Sequence, residues 1–396
     1  MLNYDEALHR VLETVASLPP CELPLTQAQG TVLAEDACAR WDMPRWDNSA
    51  MDGFAISGAP EASSEAMEII GSSFAGHPFA GTVVPGQAVR ITTGAPLPKG
   101  FDTVVPVEET EEKEGRVRLN KKPMVGQHVR YCGEEFQTGE VLAGKGAPLR
   151  AWEIALLASA GVERVKVFPK PRVAIISTGD ELVELGQKLG PGQIINSNMY
   201  LLDTRLHECG CTPESIGIGL DDPQRLDQLL DQALRADIII STGGVSVGAK
   251  DHVQAALEQR DFKKVFWKVA IKPGKPLLFG FLENKPYFGL PGNPAATAAT
   301  FELFVKPALK RLAGHSNVLP EKRAAVLTAE IAGGGKRQAF LWCRLERQGD
   351  GYRVTVSQRQ GSGQNRCLSG TNAIFPVPIG TEKYAAGELV EVMLLN

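Results

Sequence analysis

The chain has 396 residues, of which 43% are hydrophobic and 22% charged, and its formal net charge is −4. This length exceeds what one hydrophobic core usually organises, so we expect about two to four domains of an ordinary globular protein. Because neutralising a phosphate backbone takes clustered Lys and Arg, the mild acidic excess argues against a nucleic-acid partner.

Membrane segments, disulfide frameworks and zinc sites have no support in the sequence. No apolar run approaches the ~20 residues that cross a bilayer, and the start MLNYDEALHR is acidic where a signal peptide is basic. The seven Cys and six His form neither a C-x-x-C pair nor an H-E-x-x-H pattern. We therefore expect reduced structural thiols, no zinc protease, no membrane partner and a cytoplasmic location.

The first 170 residues predict a helical unit that is interrupted by a β-rich module. Tyr4 to Val15 has apolar residues at helical spacing and stops before two prolines, and residues 151–161 read as a second helix. Between them, short apolar runs separated by Gly and Pro are typical of strands and turns. We therefore predict a discontinuous helical domain of residues 1–41 and 141–170, with an inserted β-rich module at residues 42–140.

Residues 171–318 predict a central α/β domain, and residues 319–396 a C-terminal β domain. Apolar strands at 172–177, 215–218 and 238–240 alternate with helices at 197–209, 223–234, 253–257 and 301–312. Such alternation implies right-handed crossovers and a doubly wound parallel sheet, with ligands beyond the carboxyl ends of the strands. The predicted fold class is therefore a multidomain α/β protein with this sheet domain at its centre.

The first motif that carries chemistry is the run from Ser177 through Thr178, Gly179 and Asp180 to Glu181, directly after the first of these strands. A turn in which Thr178 or Asp180 caps a helix explains the pattern about equally well. The functional interpretation is that adjacent carboxylates at a sheet edge hold Mg²⁺ against a phosphate, because Mg²⁺ prefers hard oxygen ligands.

Two further acidic positions fit the same interpretation. Asp221 stands at a predicted strand-to-helix turn, and Asp251 follows a glycine-rich loop. Each alone is more often a helix cap than a metal ligand. Their shared placement after parallel strands predicts a metal site of Asp180, Glu181, Asp221 and Asp251.

The second motif is the glycine-rich loop from Ser241 to Gly248, which contains Gly243, Gly244 and Ser246. A tight turn is the plain alternative, but small residues in this number favour a nest of backbone N–H groups that binds phosphate. The same loop contains G-x-S-x-G, so a serine hydrolase stays open as a weak alternative. Against it, three residues separate the strand from Gly244, whereas a nucleophile elbow follows its strand directly.

The third motif is the segment KVAIKPGKP, which holds Lys272 and Lys275 beside prolines and a glycine. A solvated basic turn is the usual explanation of such a cluster. A stiff loop, however, can present two ammonium groups to one dianion at little entropic cost.

The fourth motif, Pro291, Gly292, Asn293 and Pro294, lies between an apolar strand and a long helix. An Asn that caps a helix with Pro at its first position explains most of the pattern. In addition, the helix start would offer free N–H donors near the other loops.

Together these segments resemble the molybdopterin molybdenumtransferase family, which includes the C-terminal domain of the scaffold protein gephyrin. The resemblance runs over nearly the whole chain. It is carried by six blocks in the family's order: Asn48–Ala55, Thr93–Pro96, Ser177–Leu182, Ser241–Gly248, Ala270–Pro276 and Pro291–Pro294.

The resemblance implies an elongated four-domain protomer that forms a homodimer, with each cleft between the glycine-loop domain of one protomer and the β module of the other. It implies that Asp52 and Thr93 reach across that interface. Arg130 looks like the start of the family's basic R-x-x-G-E block, in which this chain has Tyr131 and Cys132 where relatives often carry Arg. The cleft residues carried over are Asp180, Glu181, Asp221, Asp251, Lys272, Lys275, Pro291 and Pro294.

The resemblance further implies molybdenum cofactor biosynthesis, in which molybdate is inserted into adenylylated molybdopterin with Mg²⁺-dependent release of AMP. It also implies transient contact with the molybdopterin adenylyltransferase and with acceptor enzymes. Two anions must then meet in one cleft, so lysines, backbone N–H groups and an acid-held metal ion have to offset their repulsion. The alternative is a gephyrin-like scaffold that binds peptides through the dimer.

Overall fold

The computed structural model describes residues 1–62, 65–219, 223–245 and 252–395. The predicted positions Asp221, Ser246, Gly248 and Asp251 lie outside these ranges. No helix in the described ranges is long and apolar enough to cross a membrane.

The chain begins with a short helix whose apolar face is buried. Asn3 starts it with a capping box, in which Asn3 Oδ1 accepts a 2.8 Å hydrogen bond from the Glu6 amide and the Asn3 amide donates to the Glu6 carboxylate at 3.0 Å. Tyr4 packs against Phe304 and Phe340, so the helix joins the core of the central domain rather than residues 141–170. The elements up to residue 41 are α1 (Tyr4–Thr14), β1 (Cys21–Pro24), β2 (Val32–Leu33) and β3 (Ala37–Cys38).

The following module is built on a six-stranded sheet of order β8-β5-β7-β6-β10-β9, beside the two-stranded pair β4 and β11. Gly53 allows the close approach of two strands, because a Cβ there would lie 2.0 Å from the Val105 carbonyl oxygen. The strands are β4 (Asn48–Ser49), β5 (Gly53–Ile56), β6 (Met67–Ser73), β7 (Gln87–Ile91), β8 (Thr103–Pro106), β9 (Thr110–Lys113), β10 (Arg116–Leu119) and β11 (Val129–Arg130).

The chain then returns to the strands that precede the module, through β12 (Val141–Ala143), α2 (Ala151–Ser159) and β13 (Arg164–Phe168). Strand β13 lies between β1 and β2, and β12 pairs with β3. One apolar core joins Leu33, Leu149, Leu157 and Val167. This unit is mixed rather than helical, and the prediction missed its strands because runs of two to five residues leave few alternating positions.

The central domain is a six-stranded sheet of order β17-β14-β18-β22-β21-β19, with helices on both faces. Its elements are β14 (Arg172–Thr178), β15 (Leu182–Val183), β16 (Ile194–Ile195), α3 (Ser197–Glu208), β17 (Thr212–Gly219), α4 (Pro223–Ala233), β18 (Ile238–Thr242), α5 (His252–Glu258), β19 (Lys263–Trp267), β20 (Ile271–Lys272), β21 (Leu278–Leu282), β22 (Lys285–Leu290), α6 (Pro294–Thr300) and α7 (Lys306–Leu312), with a π-helical turn at Phe301–Val305.

The doubly wound sheet is confirmed, with one correction to its strand directions. Strands β17, β14, β18 and β22 are parallel. Strand β21 pairs antiparallel with β22, and the edge strand β19 pairs antiparallel with β21, so β21 alone is reversed. Along β14, Val173 and Ile175 face one apolar core while Ala174 and Ile176 face the other. Burial on both faces explains why this strand reads as a continuous apolar run.

The C-terminal region is a β barrel, because the order β25-β26-β23-β29-β27 closes when β27 pairs back onto β25. Strand β20 of the central domain adds to β25 in parallel, with Ile271 opposite Gln338 and Lys272 opposite Ala339. The strands are β23 (Lys322–Leu327), β24 (Ile331–Ala332), β25 (Gln338–Gln348), β26 (Gly351–Val356), β27 (Ala373–Val377), β28 (Lys383–Tyr384) and β29 (Leu389–Leu394).

Candidate active site

A cavity of about 760 Å³ lies beyond the carboxyl ends of β14, β18 and β22. This is the edge of a parallel sheet at which ligands are expected. Nine of the predicted site residues line it: Thr178, Gly179, Glu181, Gly243, Gly244, Pro291, Gly292, Asn293 and Pro294.

The glycine turn packs directly on the first motif. Gly243 and Gly244 have φ values of 86° and 63°, and a Cβ on Gly243 would lie 2.4 Å from the Thr178 carbonyl oxygen. The Thr178 hydroxyl donates to the Thr242 carbonyl oxygen at 3.1 Å, and the Gly243 amide donates to the Leu290 carbonyl oxygen at 3.1 Å. Glycine is therefore required for the loops after three neighbouring strands to meet.

Ser177 does not line the cavity, although the sequence proposed it as a ligand contact. Its side chain is 1% exposed, and the Thr242 hydroxyl donates to its Oγ at 3.5 Å. Because Ser177 lies one residue before the end of β14, the sheet covers it and Thr178 takes the position at the edge.

The two carboxylates of the first motif are both exposed, and Glu181 lines the cavity. A Cβ on Gly179 would lie 2.6 Å from Glu181 Oε2, so the glycine leaves room for that carboxylate. Within the described ranges no three His, Cys, Asp or Glu side chains form a group that could hold a metal ion. The other two predicted ligands lie outside those ranges, so the metal site stays a prediction.

Two asparagines at the start of α3 also line the cavity, and the sequence analysis missed them. Asn196 and Asn198 are 2% and 8% exposed, and the Oδ1 atom of each is buried without a hydrogen-bond partner. Asn198 Nδ2 donates to the Gly292 carbonyl oxygen at 2.7 Å. The N-S-N run before an apolar helix is the signal, but it reads first as a helix cap.

A loop of the C-terminal barrel closes one side of the cavity through Gly363 and Asn365. Asn365 Nδ2 donates to Ser197 Oγ at 3.3 Å, and the Ser362 carbonyl oxygen accepts from the Ala295 amide at 2.9 Å. Asn293 Nδ2 donates to Ser362 Oγ at 3.1 Å. The barrel therefore contributes to the wall, which the sequence analysis did not foresee.

Lys272 and Lys275 are exposed, and neither lines the first cavity, whereas Pro276 of the same loop does. Lys272 instead lines a second cavity of about 630 Å³ against the barrel, together with Lys336 and Arg337. The intervening Pro273 and Gly274 are buried, as a stiff loop requires. The loop thus spans the region between two cavities, with both ammonium groups in solvent.

Asp52, Thr93 and Arg130 lie in the β module and do not line the first cavity of their own chain. The Asp52 carboxylate accepts hydrogen bonds from the Thr93 amide at 2.6 Å and the Thr93 hydroxyl at 2.9 Å. These bonds, the amide bond first, lower the pKa of Asp52. Arg130 is exposed and pairs with Asn48 in the β4–β11 ladder.

Three family models match the chain in order. Residues 2–161 match the MoeA N-terminal region (domains I and II), and residues 174–311 match a probable molybdopterin binding domain. Residues 324–395 match the MoeA C-terminal region (domain IV).

Relatives and solved structures agree with these matches. A molybdopterin molybdenumtransferase of Nostoc sp. is 38% identical over 336 residues, which are 83% of this chain and 77% of that protein. One of Staphylococcus aureus is 33% identical over 398 residues, 98% of this chain and 94% of that protein. A crystal structure of the molybdopterin biosynthesis MoeA protein from Pyrococcus horikoshii covers 100% of both chains at 30% identity, with a TM-score of 0.82. The chain belongs to the molybdopterin molybdenumtransferase family.

Proposed function

We propose that this chain inserts molybdate into adenylylated molybdopterin and releases AMP, as a transferase of molybdenum cofactor biosynthesis. The observation that carries the proposal is the cavity in which the glycine turn, the Thr178–Glu181 motif and the Pro291–Pro294 motif meet. Relatives at 33–38% identity are named for molybdopterin and molybdenum transfer.

The glycine turn is suited to the phosphate of such a substrate. With both glycines at positive φ, no side chain stands between the backbone of the turn and an anion, and N–H groups of the turn other than that of Gly243, which donates to Leu290, can approach it. The neutral turn thereby supplies fixed dipoles at the sheet edge, where they cost no reorganisation when charge arrives.

Lys272 and Lys275 supply the positive charge that two anions in one cleft require. Both are exposed on a loop whose Pro273 and Gly274 are buried, so the charges are free to contact a ligand while the backbone is fixed. In this role they place molybdate beside the dithiolene and offset its repulsion from the phosphate.

The exposed carboxylates Asp180 and Glu181 fit a Mg²⁺ ion, which is commonly held by one or two carboxylates, several waters and substrate phosphates. Asp221 and Asp251, outside the described ranges, are the further ligands we propose. When bound, the ion would neutralise charge on the phosphate that leaves with AMP.

A homodimer would complete the site. Asp52 and Thr93 are bonded to each other and exposed, yet they do not line the cavity of their own chain. We place them, with Arg130, at the cleft of a partner protomer. A cytoplasmic location and transient contacts with the adenylyltransferase and acceptor enzymes belong to the same proposal.

The test is incubation with adenylylated molybdopterin, Mg²⁺ and graded molybdate, following AMP. We expect molybdate-dependent AMP release that Lys275→Ala lowers by about tenfold or more, because removing one group that stabilises charge in a transition state commonly costs at least that factor. Lys264→Ala, which removes an exposed lysine from the edge strand β19, is the matched control. Wild-type protein without AMP release, or equal rates in the two variants, would contradict the proposal.

A further inference from the structure

Two carbonyl oxygens beside the cavity are buried without a partner, and they belong to residues that no motif of the sequence singled out. They are Oδ1 of Asn196 and Oδ1 of Asn198, and these two residues are only 2% and 8% exposed. Buried polar atoms are nearly always paired, because a lone buried acceptor costs its full desolvation penalty. Two of them in three residues, on one cavity wall, therefore indicate a ligand.

The surroundings hold both side chains in place. The Asn198 side chain is fixed by its Nδ2, which donates to the Gly292 carbonyl oxygen at 2.7 Å. Ser197, between the two asparagines, accepts from Asn365 of the barrel loop at 3.3 Å. Asn196 is anchored through its backbone, because its amide donates to the Val183 carbonyl oxygen at 3.0 Å.

The chemistry of an amide oxygen decides which part of a substrate can satisfy it. An Oδ1 atom accepts hydrogen bonds and cannot donate them, so its partner must carry N–H or O–H. Phosphate and molybdate oxygens at neutral pH are acceptors and fit the glycine turn instead. In an adenylylated pterin such donors are the ribose hydroxyls and the amino and ring N–H groups of the two fused heterocycles, of which an amino group can be tested by replacing it with an oxo group.

We propose that Asn196 and Asn198 hold an amino-substituted heterocycle of the substrate by accepting its N–H groups through Oδ1. The proposal rests on the function proposed above and adds the part of the substrate that this wall recognises. Such a wall discriminates, because an analogue with an oxo group in place of the amino group sets two acceptors against each other. The heterocycle is either the pterin or the adenine, since both carry an amino group.

The experiment measures binding of two ligand pairs by isothermal titration in EDTA, so that no metal ion contributes. AMP and IMP differ at the 6-amino group of the purine, and pterin and lumazine differ at the 2-amino group of the pteridine. The variants are Asn196→Leu and Asn198→Leu, and Asn120→Leu, on an exposed residue of the β module, is the control. Urea unfolding of each variant accompanies the titrations.

We expect the wild-type protein to prefer the amino member of one pair by about tenfold or more, and Asn196→Leu to abolish that preference. The pair affected identifies the heterocycle. The stability of Asn196→Leu should stay unchanged or rise, because the variant removes an unpaired oxygen, whereas Asn198→Leu also loses its bond to Gly292.

Retention of the wild-type preference in both variants would overturn the inference while leaving the proposed function intact. A loss of stability with equal weakening of both members of a pair would show a structural role and overturn it as well. A wild-type protein that binds both members of each pair equally, or that binds none of the four ligands, would likewise overturn the inference, whereas the proposed function is tested separately by AMP release.

Discussion

Replacing Gly243 by Ala should damage both the stability and the activity of this protein. The residue has φ of 86°, and an added Cβ would lie 2.4 Å from the Thr178 carbonyl oxygen and 2.9 Å from Thr178 Oγ1. The left-handed conformation alone costs an L residue about 1–2 kcal/mol. Because the nearest atom is backbone, the turn must also move by several tenths of an ångström.

The expected loss is about 2–5 kcal/mol in the free energy of unfolding, from about 1–2 kcal/mol of backbone strain and about 1–3 kcal/mol of overpacking. Movement of the turn also displaces the N–H groups that we assign to the substrate phosphate. A displacement near 1 Å can cost about 10²-fold in rate, so we expect AMP release to fall by roughly that factor.

The matched control is Gly349→Ala in the turn between β25 and β26. Gly349 has φ of 58°, and an added Cβ would meet no atom within 4 Å. This control carries the backbone penalty without the clash, so it should lose only about 1–2 kcal/mol and keep full activity. Urea unfolding and AMP release are measured for both variants. Equal stability and equal activity of the two would refute the reasoning.

Three further predictions concern the Thr93–Asp52 hydrogen bond, the proposed dimer and the buried carboxylate of Glu302. Thr93→Ala removes a 2.9 Å hydrogen bond to Asp52, so the lowered pKa of Asp52 should rise toward its ordinary value. The stability that this bond gives the protein is present above the unfolded-state pKa of Asp52 and is lost as pH falls through the folded-state pKa. If NMR titration of the Asp52 carboxylate gave the same pKa in the variant as in the wild type, this reasoning would be contradicted. Mixing inactive Asp52→Ala with inactive Glu181→Ala should restore AMP release if the cleft is shared between protomers, and a mixture that stays inactive after subunit exchange would refute sharing. Glu302 is 8% exposed and bonds to Arg205 and Lys306, so Glu302→Ala should lower the free energy of unfolding by about 3–5 kcal/mol, and a loss below about 1 kcal/mol in urea would be inconsistent with a buried network.

Long periodic segments of this chain could be predicted from sequence because their burial is uniform. Strand β14 is covered on both faces and reads as RVAIIS, and the residues directly after it were placed correctly at the sheet edge. Ser177 was predicted to contact a ligand but is buried, because a sequence pattern does not show at which residue the neighbouring strands and helices stop covering a strand.

Contacts between distant segments could not be predicted in the same way. Asn196 and Asn198 line a cavity only because Gly292 and the barrel loop, which are far away in the chain, pack beside them. The pairing of β20 with β25 involves two residues of β20, too few to produce an alternating pattern. Such features depend on tertiary packing, which local propensity does not encode.

The attachment of β20 to the barrel couples the basic loop to the last domain of the chain. Lys272 belongs to a ladder with β25, and Arg337 donates to the Ile271 carbonyl oxygen at 3.2 Å. A rotation of the barrel would carry this lysine with it, whereas the glycine turn would stay with the central sheet. If the proposed function holds, the distance between the Lys272 ammonium group and the glycine turn would depend on the angle between these two domains, and a substitution in the barrel's outer strands would then change activity from a distance.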